Sequence, residues 1–249
     1  MIETVYVMWL RQLKRYWRSK PRLIGSLGQP ILFLVAFGFG LNPIFRKAGE
    51  GDYIQFLAPG VIAMSILFTS MFTGIEVVWD RKFGFLKETL VAPIPRTHIM
   101  IGKTLGGATV ALIQGIVIFA LTLVIGFRPE SVTALPLALV FAALISILFT
   151  AIGTAIGSQI DDLHAFPMIM NFLVMPMFFL SGALFPVDGI PSFIHALVVV
   201  NPLSYGVDGL RGTLAGVHTF SLATDVAVLA TLSVITSITG GILFKKIEL

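Results

Sequence analysis

The chain has 249 residues, 56% hydrophobic and only 12% charged, with a mean hydropathy of +0.94. Soluble domains are about 45–50% apolar and roughly 25% charged, so this chain lacks the polar surface that a water-facing globule needs. Its 21 Phe, 24 Gly and 13 Pro suit helices that pack closely and kink in lipid, and the absence of cysteine excludes disulfide and thiolate chemistry. These numbers predict an all-α polytopic membrane protein, with residues 1–249 forming one transmembrane domain.

Residues 5–18 come first in chain order. Val5, Tyr6, Trp9, Leu10, Leu13, Tyr16 and Trp17 recur on one face of a helix, and Arg11, Lys14, Arg15 and Arg18 on another. This pattern predicts an amphipathic interfacial helix within residues 1–22. Two roles for it stay open, a basic anchor that fixes topology and a docking element for a partner.

Stretches free of Asp, Glu, Lys and Arg follow at residues 23–45, 53–75, 104–127, 131–160, 165–187, 189–207 and 226–244. A bilayer crossing needs roughly 20 such residues. The stretch at 189–207 is broken by Pro191, His195 and Asn201-Pro202. Positive charge gathers before the first span (Arg11 to Arg22), after the second (Arg81, Lys82, Lys87, Arg96, Lys103) and at Lys245-Lys246. With all three groups on the cytoplasmic face, the number of crossings is even. The prediction is six transmembrane helices, both termini cytoplasmic, and an extracellular re-entrant segment at 188–222 before the last span. The first apolar run is long enough to span and lacks a small-residue cleavage site, so it does not read as a cleavable signal peptide.

The polar loops are too short for a soluble catalytic domain. Gly102-Lys103-Thr104 looks like the end of a phosphate-binding loop, but Thr97 stands where the earlier glycine belongs and no strand precedes it. Lys103 therefore reads as a charge at the mouth of the third span, and the chain is not expected to bind ATP itself. An intramembrane serine hydrolase would rest on Ser181 and His195, which lack the sequence context of a catalytic pair. Asp161, Asp162 and His164 are too few and too close for a metal site and read as a solvated turn against a partner. Glu76, one turn from Asp80, reads as an interfacial charge or a member of a local ion pair rather than a midplane coupling-ion site. Gly153 and Gly157 form a small-residue seam suited to a contact within the subunit. In residues 80–96, Phe83, Leu86 and Leu90 have helical spacing, and Pro93 and Pro95 end the element. A short amphipathic coupling helix there would dock into a soluble partner.

Several motifs, in order along nearly the whole chain, resemble the permease subunits of type-2 ATP-binding-cassette (ABC-2) exporters, in particular the daunorubicin-resistance and nodulation-factor permeases. They are Phe56-Leu57-Ala58-Pro59-Gly60; Arg81, Gly84, Leu86, Ala92, Pro93 and Arg96; Phe179, Ser181-Gly182 and Phe185-Pro186; and Asn201-Pro202-Leu203-Ser204-Tyr205 with Asp208 and Arg211. The run after Gly84 is a close variant of the family's, not a copy.

The resemblance implies a half-transporter: a homodimer, or a pair with a related permease, in the plasma (cell inner) membrane. Two copies of a separate ATPase subunit would hold ATP and Mg, and this chain would have no catalytic residue, cofactor or metal. Nucleic acid is not among the implied partners. ATPase coupling would fall to Arg81, Phe83, Gly84, Leu86, Glu88, Leu90, Pro93, Arg96, Asp161 and Asp162. The extracellular gate would be Asn201, Pro202, Tyr205, Asp208 and Arg211, with Asn201 and Asp208 capping broken helices and Arg211 paired with Asp208. The substrate path would run past Phe68, Phe72, Phe172, Met175 and Phe179. The cargo would be a hydrophobic or amphipathic compound, a lipid or a lipid-linked glycan moved outward. An ion-coupled secondary transporter and a membrane-embedded enzyme are the alternatives.

Overall fold

The computed structural model describes residues 2–47, 51–85, 95–187 and 189–245, and all regular secondary structure among them is helical. In chain order the helices are α1 (Ile2–Arg18), α2 (Lys20–Lys47), α3 (Tyr53–Lys82), α4 (Arg96–Ile125) and α5 (Leu135–Gln159). They continue with α6 (Ala165–Phe179), α7 (Ser192–Val200), α8 (Pro202–Ala215) and α9 (Leu222–Lys245). Local chemistry sets the ends. Asp52 caps α3 by accepting from the Ile54 amide at 2.9 Å. Gly126 and Gly216, at φ 122° and 70°, let the chain leave α4 and α8.

Helices α2, α3, α4, α5 and α9 are long and apolar enough to cross a membrane. α6 has only 15 residues and reaches about 22 Å, because the apolar stretch predicted at 165–187 leaves the helix after Phe179. α7 and α8 meet at 85°, the bend predicted by Asn201-Pro202. α4 starts eight residues before the apolar run at 104, carrying Arg96 and Lys103 inside the helix.

α3 is the most enclosed of the long helices, whereas α2 and α9 turn most of their surface outward. Its break at Thr73-Gly74 lies against α5. A Cβ on Gly153 would sit 2.9 Å from Met71 Cα, and one on Gly157 2.9 Å from the Gly74 carbonyl carbon. The Gly153/Gly157 seam is therefore a contact within the subunit, as its sequence suggested.

Hydrogen bonds and ion pairs define two poles. At one, the C-terminal end of α3 meets the N-terminal part of α4 (Asp80–Lys103), α1 (Arg11–Asp80) and the end of α5 (Arg81–Asp161), and Gln159 reaches the Leu243 carbonyl of α9. At the other, the end of α2 meets the start of α3 (Asn42–Tyr53), Gln55 reaches Gly126 after α4, and Glu130 binds the Leu214 carbonyl of α8. α6 runs from the first pole to the second. Helices α7 and α8 therefore sit at the second pole between α6 and α9, and α1 and the end of α9 share the first.

Candidate functional site

The charged pole is built on two carboxylates one turn apart on α3. Asp80 accepts a forked pair from Arg11 of α1, at 2.9 and 3.1 Å, and a further bond from Lys103 of α4. Glu76 pairs with Arg22 of α2. Arg15 lies between them, 3.6 Å from Asp80 and 3.8 Å from Glu76. Three helices thus bring cations to one, in the fork geometry that strengthens arginine–carboxylate pairs. Glu76 is in the local ion pair expected of it.

Lys103 is only 2% exposed, so it is a buried partner of Asp80 and not an open charge at a span mouth. The whole Gly-Lys-Thr fragment is explained by packing. A Cβ on Gly102 would lie 2.6 Å from that of Met8, and Gly106 one turn on is as tight against Gln12. Two small residues four apart let α1 press onto α4. Thr104 shares a hydrogen bond with Thr154 of α5 at 3.2 Å.

α1 is consequently more embedded than its amphipathic pattern indicates. Its buried stripe is Met8, Gln12 and Tyr16. The Tyr16 hydroxyl donates to Gln114 Oε1 at 2.8 Å, and Trp9 Nε1 donates to Thr109 at 3.0 Å. Trp17 and Tyr6 remain exposed, as an interfacial helix requires. The polar anchors Gln12 and Gln114 were missed at the sequence level. The signal was there, since Gln114 is the sole amide side chain in its apolar run.

Of the coupling residues, the structure brings Arg81 and Asp161 together at 2.5 Å, and Arg81 also reaches the Ser158 carbonyl at 3.4 Å. This joins the start of one loop to the start of the next. Asp162 instead accepts from the His164 amide at 2.8 Å, a bond that holds its carboxyl below the usual carboxylate range. Phe83 is 68% exposed and packs near Trp79, ring centres 5.2 Å apart and planes tilted by 33°. Gly84 adopts φ 79°, where other residues are strained, and the Arg11 guanidinium lies 3.5 Å above the Phe85 ring. Residues 80–82 extend α3, and Arg96 opens α4 instead of closing the coupling element. Leu86, Glu88, Leu90 and Pro93 lie outside the described residues.

At the opposite pole the gate residues bind backbone. Asn201 caps α8 by accepting from the Leu203 amide at 3.0 Å, and its amide group donates to the Met177 carbonyl of α6 at 2.6 Å. Pro202 occupies the first turn of α8, where its missing N–H costs nothing. Tyr205 donates to the Val199 carbonyl at 2.8 Å, fixing the bend, and stacks on Phe220. The predicted Asp208–Arg211 pair is corrected: no ion pair within 4 Å joins the two. Asp208 accepts from the Thr219 and Phe220 amides at 2.7 and 2.8 Å, so it secures the loop before α9 and does not cap a broken helix. Arg211 is buried, donates to the Gly182 carbonyl at 2.9 Å and lies 3.9 Å above the Phe56 ring. The backbone after α6 offered a nearer acceptor than Asp208, three residues away on the same helix.

The substrate-path residues fall into two groups. α6 buries Phe166, Met170, Val174 and Phe178, spaced by four, in the core that includes α3. Phe172, at 82% exposure, with Met175 and Phe179, faces outward. Phe68 and Phe72 stack at 6.3 Å on α3 and line a separate cavity toward α2.

Five helices long and apolar enough to cross a membrane, with a short α6 and a bent pair before the last, make this a polytopic helical membrane protein. The chain belongs to the ABC-2 type transporter family, whose model matches residues 3–215. That membership supports a transport permease role, a transporter subunit rather than an enzyme. The chain is 27% identical to the inner membrane transport permease YadH of Escherichia coli K12 over 231 residues, 89% of this chain and 87% of that protein. It is also 26% identical to nodulation protein J of Rhizobium leguminosarum bv. viciae over 226 residues, 90% of this chain and 86% of that one. Membership of the family implies pairing with an ATP-binding-cassette subunit.

Proposed function

We propose that this permease is one half of an ATP-driven exporter in the plasma (cell inner) membrane, with its charged pole and both termini in the cytoplasm. Two copies, or one copy and a related permease, enclose the path, and two separate ATPase subunits carrying ATP and Mg sit beneath. The cargo is a hydrophobic or amphipathic compound, a lipid or a lipid-linked glycan taken from the cytoplasm or inner leaflet. The exposed aromatic face of α6, with Phe172, Met175 and Phe179, suits a path between copies, because bulky apolar and thioether groups accommodate varied ligands.

One observation carries the coupling reading. Arg81 and Asp161 join both loops that reach the charged pole, while Asp80, one residue earlier, is tied to α1 and α4. A push on residues 80–96 is thereby delivered to four helices at once. The ATPase contacts must differ between its nucleotide states for that push to shift the permease.

The test is Arg81→Glu with Leu86→Asp, purified with the ATPase subunit and reconstituted in liposomes. The expected result is an intact permease whose ATP hydrolysis no longer drives transport. Unchanged transport with unchanged ATPase binding would refute the coupling role.

A further inference from the structure

A cavity of about 210 Å³ lies between α2 and α3, beside the C-terminal end of α1. Its residues form a gradient. Arg22 and Tyr16 stand at the charged-pole end, Gln29, Ser65 and Thr69 supply neutral hydrogen-bonding groups, and Phe68, Phe72 and Pro30 are apolar. From Arg22 to Pro30 along α2, and from Phe72 to Met64 along α3, is eight residues, about 12 Å of helix. That depth matches the head and upper chain of a lipid-like molecule standing in one leaflet.

Two observations point to a ligand rather than a packing gap. Ser65 is 3% exposed and its hydroxyl has no hydrogen-bond partner among the described residues, although it lines the cavity and a buried hydroxyl normally finds one. Arg22, which pairs with Glu76 beside the cavity, is the one charged side chain among the described lining residues. Arg22 uses Nη1 for Glu76, and a guanidinium carries five N–H donors. A separate open groove along α1 is lined by Lys14, Arg15 and Arg18, and these cations add to the positive charge on the Arg22 side of the molecule.

We propose that this cavity binds an acidic amphiphile from the adjacent leaflet, its anionic head at Arg22, its hydrogen-bonding atoms at Ser65 and Gln29, and its chain along Phe68 and Phe72. The site lies within one chain, distinct from the outward face of α6. It does not require the exporter reading, because binding is measured without ATPase or nucleotide.

Gly25 makes the test clean. It lines the cavity, and a Cβ there meets no atom within 4 Å, so the backbone admits a side chain and Gly25→Leu adds bulk at the cavity wall. Gly28, on the same helix and equally open but outside the lining, gives the matched control Gly28→Leu. The full chain is purified in neutral detergent, and retained phosphatidylglycerol per chain is counted by native mass spectrometry, with phosphatidylcholine and glycerol phosphate as comparison probes.

Wild type and Gly28→Leu are expected to hold phosphatidylglycerol in preference to phosphatidylcholine, and Gly25→Leu to lose about tenfold in affinity. Ser65→Ala, which keeps the fold and removes the hydroxyl, should lose about threefold, the size of one neutral hydrogen bond. Equal retention by Gly25→Leu and Gly28→Leu would overturn the proposal. Indifference to the head group, or equal competition by chain-free glycerol phosphate, would do the same.

Discussion

At the charged pole, Asp80 and Glu76 are approached by cations from three other helices, and Arg15 stands within 4 Å of both. At the opposite pole, Asn201, Asp208 and Arg211 spend their side chains on backbone groups of α6, α8 and the loop before α9. Ion pairs with several acceptable partners can be redistributed when helices shift, because one cation replaces another at the same carboxylate. A side chain bonded to a fixed carbonyl or amide has one satisfied position. The contrast is between a pole whose ion pairs can be exchanged and a pole whose side chains are fixed to backbone.

Removing charge should separate the poles most sharply. Asp80→Asn strands the buried ammonium of Lys103, and breaking a buried pair on one side costs about 3–5 kcal/mol. Thermal unfolding in detergent should show that loss, and the double variant Asp80→Leu with Lys103→Met should recover most of it. No recovery would mean that Arg11, and not Lys103, dominates the pair.

At the opposite pole, Arg211→Met loses the Gly182 bond and the contact with Phe56, together about 2 kcal/mol. Arg211→Lys should not restore it, since an ammonium lacks the planar face that lies on the ring. The same unfolding assay reads both. Asn201→Ala removes the cap of α8 at about 1 kcal/mol, and Asn201→Asp should keep the cap while losing the Met177 bond. Arg81→Ala should change stability by about 0–1 kcal/mol, because its partner Asp161 is 73% exposed at the side chain. Under the proposed coupling role, its larger effect is expected on the dependence of ATP hydrolysis on the permease.

The membrane class, the long helices and the bend before the last one were legible because apolar run length and Asn201-Pro202 act locally. The Gly153/Gly157 seam was legible as a pattern, and its partner, the broken turn of α3, was not. Helix α4 extended past its predicted start because Lys103 is neutralised by Asp80, 23 residues away in sequence, and residue counting treats every lysine as a boundary. Arg211 went astray for the same reason. Its partner is a backbone carbonyl 29 residues earlier, which no side-chain pattern announces. The Gly-Lys-Thr fragment failed as a phosphate loop on spacing alone, but its role in packing α1 against Gly102 was not legible.

The most direct test of an ATPase-driven permease places a photo-cross-linker at the exposed Phe83 and purifies the chain from its native membrane in mild detergent. A soluble ATP-binding-cassette subunit captured at that position is the predicted result. A chain that purifies alone, with no ATPase cross-linked at residue 83, would contradict it.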